Sequence, residues 1–75
     1  MRSKIVWARS VWEVFQELPE SERIEILEHL KYLRLFPHMY PFRRHRWFRA
    51  GNWIVYYRVL SDTVYIRGLW PARIL

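Results

Sequence analysis

Arginine dominates the chemistry open to this chain. Residues 37–75 carry seven arginines (Arg43, Arg44, Arg46, Arg49, Arg58, Arg67 and Arg73) against Asp62 as the single acid, with no lysine. Residues 1–36 carry six basic and six acidic side chains that cancel, so the whole net charge of +6 belongs to the second half. A guanidinium is planar, always protonated, and offers paired donors that match a phosphate or a carboxylate. A surface that only keeps a protein in solution mixes signs. An excess made of arginine alone points to an anionic partner. Arginine interleaved with Trp47, Tyr56 and Tyr65 suits single-stranded nucleic acid, through phosphate contacts and base stacking.

Holding a phosphate is not the same as cleaving beside it. RNA can be cut without a metal when its 2′-hydroxyl attacks the neighbouring phosphate. Arginines then stabilise the anionic transition state, while other groups move the protons. Arginine stays protonated and cannot act as that base. With no lysine after residue 36, the proton carriers are His38, His45, Asp62 and the tyrosines. His45 stands among the arginines, and histidine has an ordinary pKa close to neutrality. An exposed strand residue is the plainer reading of His45. No metal or cofactor is expected. His29, His38 and His45 fall in different segments, no HxxH or HxH spacing occurs, and there is no cysteine. No Gly-x-Ser-x-Gly elbow is present, and Gly51 and Gly68, the two glycines, cannot make a phosphate-cradling loop.

The elements that must position these groups can be read from the same string. A chain of 75 residues is one domain, residues 1–75, with a small core. Its 52% hydrophobic and 19% aromatic content excludes disorder. No apolar run approaches the ~20 residues of a membrane span. The N-terminus meets an arginine too early for a signal peptide, and a chain without cysteine fits the cytoplasm.

Residues 5–8 read as a strand. Ser10 with Glu13 is a capping-box pattern, opening a helix to about residue 18 with Trp12 and Phe15 on its apolar stripe. Pro19 interrupts, and Glu20-Ser21-Glu22 starts a second helix with acids at its positive end. Along it Ile24, Ile26, Leu27, Leu30 and Leu33 recur at helical spacing. Glu20/Arg23 and Glu28/Lys31 can pair on its wet side, and His29 is expected at the surface beside Glu25. Pro37 and Pro41 end it. Residues 42–50, 53–60 and 63–70 then read as strands joined by Gly51-Asn52 and Ser61-Asp62. The expected architecture is α+β with the order β-α-α-β-β-β, a helical hairpin packed on one face of a small, mostly antiparallel sheet.

Strand alternation sorts the side chains onto faces. A two-residue turn at Ser61-Asp62 puts Val59 opposite Val64, Tyr57 opposite Ile66, Val55 opposite Gly68 and Trp53 opposite Trp70, all toward the core. Arg58 opposite Tyr65 and Tyr56 opposite Arg67 then form the other face. A two-residue turn at Gly51-Asn52 adds Arg49, Trp47, His45 and Arg43 to it, with His45 opposite Arg58. A bulge near Gly51 would instead bring Arg44, Arg46 and Phe48 there. The RNA-binding candidates are therefore Arg43, Arg46, Arg49, Trp47, Tyr56, Tyr65 and Arg67.

Several stretches resemble the RelE/ParE superfamily of type II toxin–antitoxin toxins. They are Glu17-Leu18-Pro19, Leu30-x-x-Leu33 with Pro37 beyond it, and the run from Arg46-Trp47-Phe48-Arg49-Ala50-Gly51-Asn52-Trp53 to Tyr56-Tyr57-Arg58-Val59. Asp62-x-Val64-x-Ile66 with Trp70-Pro71-Ala72-Arg73 completes the set. The resemblance spans nearly the whole chain, and the β-α-α-β-β-β order is that family's. It implies one of two activities: metal-independent cleavage of mRNA in the ribosomal A site, or poisoning of DNA gyrase. It also implies a small antitoxin that wraps the toxin. Arg46 or Arg49, Arg58 and Arg73 fall where the family's ribonucleases place phosphate-contacting residues. With His45 as proton carrier, Arg58 and Arg73 form the candidate catalytic set. The chain departs from the pattern at Ile54, where many of the nucleases carry arginine, and at Trp70, where a histidine often precedes the terminal arginine. Only Ile74 and Leu75 follow Arg73.

Overall fold

The computed structural model describes residues 3–37 and 46–74. Strand β1 (Lys4–Trp7) leads into helices α1 (Arg9–Gln16) and α2 (Glu20–Leu35). Strands β2 (Arg46–Ala50), β3 (Trp53–Leu60) and β4 (Thr63–Pro71) follow, then a short 3-10 turn, Ala72–Ile74. The sheet runs β1-β4-β3-β2, with β1 parallel to β4 and the other neighbours antiparallel. The order and the mixed, mostly antiparallel sheet are those expected from the sequence.

Helix α1 begins two residues earlier than the capping box implies. Its N-cap is Ala8, without a side-chain cap bond, and the Ala8 carbonyl accepts from Trp12 N–H at 2.9 Å. Ser10 thus lies inside the first turn. Glu13 reaches back one turn to Arg9, 3.5 Å away, the one ion pair among the described residues. Accordingly Glu20/Arg23 and Glu28/Lys31 do not pair. Pro19 then works as a hinge: its ring cannot extend α1, while its carbonyl accepts from Glu22 and Arg23 N–H and so starts α2. Glu20 and Glu22 lie at the positive end of α2, and Arg34 in its last turn.

Val11 and Phe15 of α1 and Ile26, Leu30 and Leu33 of α2 bury themselves against Phe48, Ala50, Val55, Tyr57, Val64 and Ile66 of the sheet. Trp7 and Phe15 close one end, with ring centroids 4.7 Å apart. Ile24 and Leu27, expected on the apolar stripe, are exposed; one 16-residue helix over a four-stranded sheet can bury only a narrow stripe. His29 has a structural part. Its Nδ1–H donates to the Glu25 carbonyl at 3.0 Å, and its ring lies parallel to Phe48 at 5.3 Å. It turns toward the sheet, not toward the Glu25 carboxylate.

Candidate nucleic-acid interface

The turn Gly51-Asn52 has two residues, so Ala50 pairs with Trp53, Arg49 with Ile54, Phe48 with Val55, Trp47 with Tyr56 and Arg46 with Tyr57. Gly51 supports this geometry at φ +60°, and the Glu25 carboxylate fills the space a side chain there would need. The register fixes which arginine of β2 faces outward. Arg49 and Trp47 point away from the helices and are exposed, while Phe48 and Ala50 are buried beneath them. Arg46 does not join the outer face. It turns inward, 7% exposed, with Nη1 donating to the Pro37 carbonyl at 3.1 Å. Strand parity gives the reason: Arg46 is an even number of residues from the two core positions. Arg43 and His45 lie outside the described residues.

The hairpin of β3 and β4 departs from the simple alternation. Val59 pairs with Val64, Arg58 with Tyr65 and Tyr57 with Ile66, as expected; Tyr56 then pairs with Gly68, leaving Arg67 as the extra residue of a bulge. One inserted residue exchanges the faces of everything beyond it. Leu69 therefore lies opposite Val55, Trp70 opposite Ile54, and Trp53 opposite Pro71. The expected pairs Tyr56 with Arg67, Val55 with Gly68 and Trp53 with Trp70 do not form. Trp70 leaves the core for the outer face and is 56% exposed. Trp53 stays on the helical side, with Nε1–H donating to Glu22 Oε1 at 2.6 Å. A glycine inside a strand is the sequence signal for such a bulge, and Gly68 supplies it.

The sheet thus has a helix-covered face and an open one. No residue whose side chain alternates onto the open face of the four described strands is an acid. Arg58, Tyr65 and Arg67 surround one shallow depression of about 340 Å³, with Leu60, Ala8 and Ile66 at its margins. Arg58 and Arg67 make no ion pair or hydrogen bond to the described residues. Arg49 Nε donates to the Gly51 carbonyl at 2.8 Å, which steadies the side chain. Trp47, at 49% exposure, and Tyr65 are large exposed apolar residues in this arginine field.

Arg73 is exposed but lies apart from Arg58. Ala72 N–H bonds the Asn52 carbonyl at 2.8 Å, which holds the chain end beside the Gly51-Asn52 turn. From Trp53 to Arg58 the strand advances about 16 Å. The backbone therefore separates two members of the candidate catalytic set, and the third, His45, lies outside the described residues. Among the described residues no three His, Asp or Glu side chains gather into a metal-sized cluster, and no helix is long and apolar enough to cross a membrane.

No protein-family model and no curated protein matches the sequence. Two solved structures are similar over nearly the full length. The RelE–RelB complex from Pyrococcus horikoshii OT3 superposes with a TM-score of 0.77 at 20% identity, covering 96% of this chain and 97% of that one. An arginine-to-alanine double mutant of E. coli toxin RelE in the free state superposes with a TM-score of 0.79 at 13% identity, covering 99% and 87%. At such identities the likeness is one of backbone. The helical hairpin, the mixed sheet and its strand order give this chain the fold of the RelE toxins.

Proposed function

We propose that this chain is the toxin of a toxin–antitoxin pair and that it binds RNA through the open face of its sheet, cleaving ribosome-bound mRNA there without a metal. One observation carries the reading: among the described residues, a sheet face without an acid displays Arg58 and Arg67, neither of them paired, around one depression with Tyr65, beside Arg49, Trp47 and Tyr56. Unpaired guanidinium groups supply the phosphate contacts, and exposed aromatic rings supply stacking. Arg58 stabilises the phosphate under attack and His45 is proposed to move the proton, while Arg73, held beside the Gly51-Asn52 turn, contacts the RNA at a separate point on the strand. The RelE-like fold supports the toxin reading, although fold alone does not assign an activity.

An antitoxin partner needs a surface away from this face. A groove of about 450 Å³ between β1 and α2 is floored by Ile5, Trp7, Leu30 and the exposed Leu27 and Leu35, with Lys31 and Arg34 on its rim. An acidic, amphipathic antitoxin segment matches both its apolar floor and its charged rim.

The deciding experiment expresses the chain alone and together with the product of an adjacent acidic reading frame, and toeprints a translation reaction containing purified protein. Growth arrest relieved by the neighbour, with new mRNA ends in the ribosomal A site, is the expected result. Arrest without mRNA cleavage, accompanied by trapped cleaved plasmid in a supercoiling assay, would assign DNA gyrase as the target instead. Harmless overexpression would leave an RNA-binding module and remove the toxin.

A further inference from the structure

The bulge at Arg67 does more than shift register: it delivers a tryptophan to the open face. Trp70 keeps 56% of its surface exposed. A core position would have contributed the full burial of an indole to folding, so its outward placement gives up stability in a chain with a small core. One edge of the indole lies over Gly68. Its Nε1 lies 3.0 Å from the point a Cβ on Gly68 would occupy, and Tyr56 Cβ and Cδ2 lie 3.5 Å from that same point. Gly68 therefore leaves a notch in the sheet into which the indole edge of Trp70 fits, beside Tyr56. A methyl at 68 would press on the indole, which must then give by a few tenths of an ångström.

The surroundings of the notch specify a ligand. Trp70 lies in one cross-strand row with Ile54 and Arg49, and Tyr56 in the next row with Trp47 and Gly68. Ile54, 5% exposed, gives these rings an apolar floor. Arg67 is three residues from Trp70, about 10 Å along the strand, and Arg49 is across the sheet from it. The Nε1–H of Trp70 makes no hydrogen bond to the described residues. A flat, uncharged ring with acceptors on its edge, linked on both sides to phosphates, fits this arrangement: one base of a single-stranded RNA.

We propose that Trp70, seated over Gly68 and beside Tyr56, is a nucleobase-stacking site, with Arg49 and Arg67 receiving the phosphates on either side. This rests on the RNA-binding reading of the open face and adds to it a residue that sequence alternation assigned to the core.

The test measures fluorescence anisotropy of a short labelled single-stranded RNA and of the same oligonucleotide with one central abasic position. Wild type, Trp70→Phe, Trp70→Leu, Gly68→Ala and Arg58→Ala are compared over a salt series. Wild type should bind the intact RNA roughly 5- to 150-fold more tightly than the abasic one, the range of one base–aromatic stack. Trp70→Leu keeps apolar bulk but no π-face and should erase that preference with an unchanged salt slope. Trp70→Phe should keep most of the preference, and Gly68→Ala should lose part of it by displacing the indole. If Trp70→Leu discriminates the two RNAs as wild type does, the stacking site is wrong while the RNA-binding reading stands. If wild type shows no salt-dependent binding that Arg58→Ala weakens, the RNA-binding reading fails, and the stacking site with it.

Discussion

Trp53 and Glu22 join the hairpin to the helices: the indole Nε1–H donates to the Glu22 carboxylate at 2.6 Å. One is the first residue of β3 and the other lies in the first turn of α2, 31 positions apart. The bond fixes how the β2–β3 hairpin, which carries Arg49 and Trp47, sits beneath the helical layer. Hydrogen bonds to a charged acceptor contribute about 1.5–3 kcal/mol. Glu22→Ala should lower the unfolding free energy by about 1–2 kcal/mol and the melting temperature by about 4–8 °C per kcal/mol. RNA affinity should be unchanged. A melting curve superposing on wild type would show that the bond does not hold the hairpin in solution.

Gly51 faces two obstacles to replacement. Its φ of +60° disfavours any L side chain, and the Glu25 carboxylate occupies the space beside it. Gly51→Ala should therefore destabilise by at least about 1–2 kcal/mol, seen as a lower denaturant midpoint with an unchanged slope. Pairing the variant with Glu25→Ala should recover only the steric part, because the backbone strain remains.

Arg46 and Arg49, three residues apart on one strand, should behave as different kinds of residue. Arg46→Ala removes the bond to the Pro37 carbonyl and exposes the core edge, so thermal stability should fall while the salt slope of RNA binding is kept. Arg49→Ala should leave the melting temperature within about 2 °C, since surface changes are usually within about 0.5 kcal/mol, and weaken RNA binding. Equal effects of the two on binding would contradict the assigned faces.

Arg58 and Arg67 each line the same depression and have no ion pair or hydrogen bond among the described residues. Each alanine variant should reduce the dependence of log K on log salt by about 0.7–1, and the double variant by about twice that. Binding titrations between low and moderate salt give the slopes directly. Slopes equal to wild type would remove these residues from the interface.

Leu27 tests the opposite side of the molecule. It lies exposed in the groove between β1 and α2, so Leu27→Asp should leave folding and RNA binding intact while weakening antitoxin capture about tenfold or more. Co-purification from cells expressing both proteins measures this. Loss of toxicity without loss of antitoxin binding would place the groove in another role.

The order of elements, the helical hairpin and the location of all excess charge followed from the sequence by itself, because they depend on local signals. Pro19 and Pro37 bound a helix wherever they occur, Gly51-Asn52 forms a two-residue turn, and β-branched and aromatic runs between turns make strands. Side-chain faces were legible only up to the first irregularity. Arg58 and Tyr65 pair as alternation requires, because no bulge lies between them and the Ser61-Asp62 turn. Beyond Arg67 one additional residue moved Trp70 from the expected core to the open face and Leu69 into the interior. Likewise Arg46 and Arg49 were distinguishable only once a turn of two residues fixed the parity of β2. A strand's period of two makes each such insertion decisive, and whether the backbone accommodates it depends on packing against strands distant in sequence. Tertiary structure therefore decided which arginines and which tryptophan share a face, while composition had already set their charge.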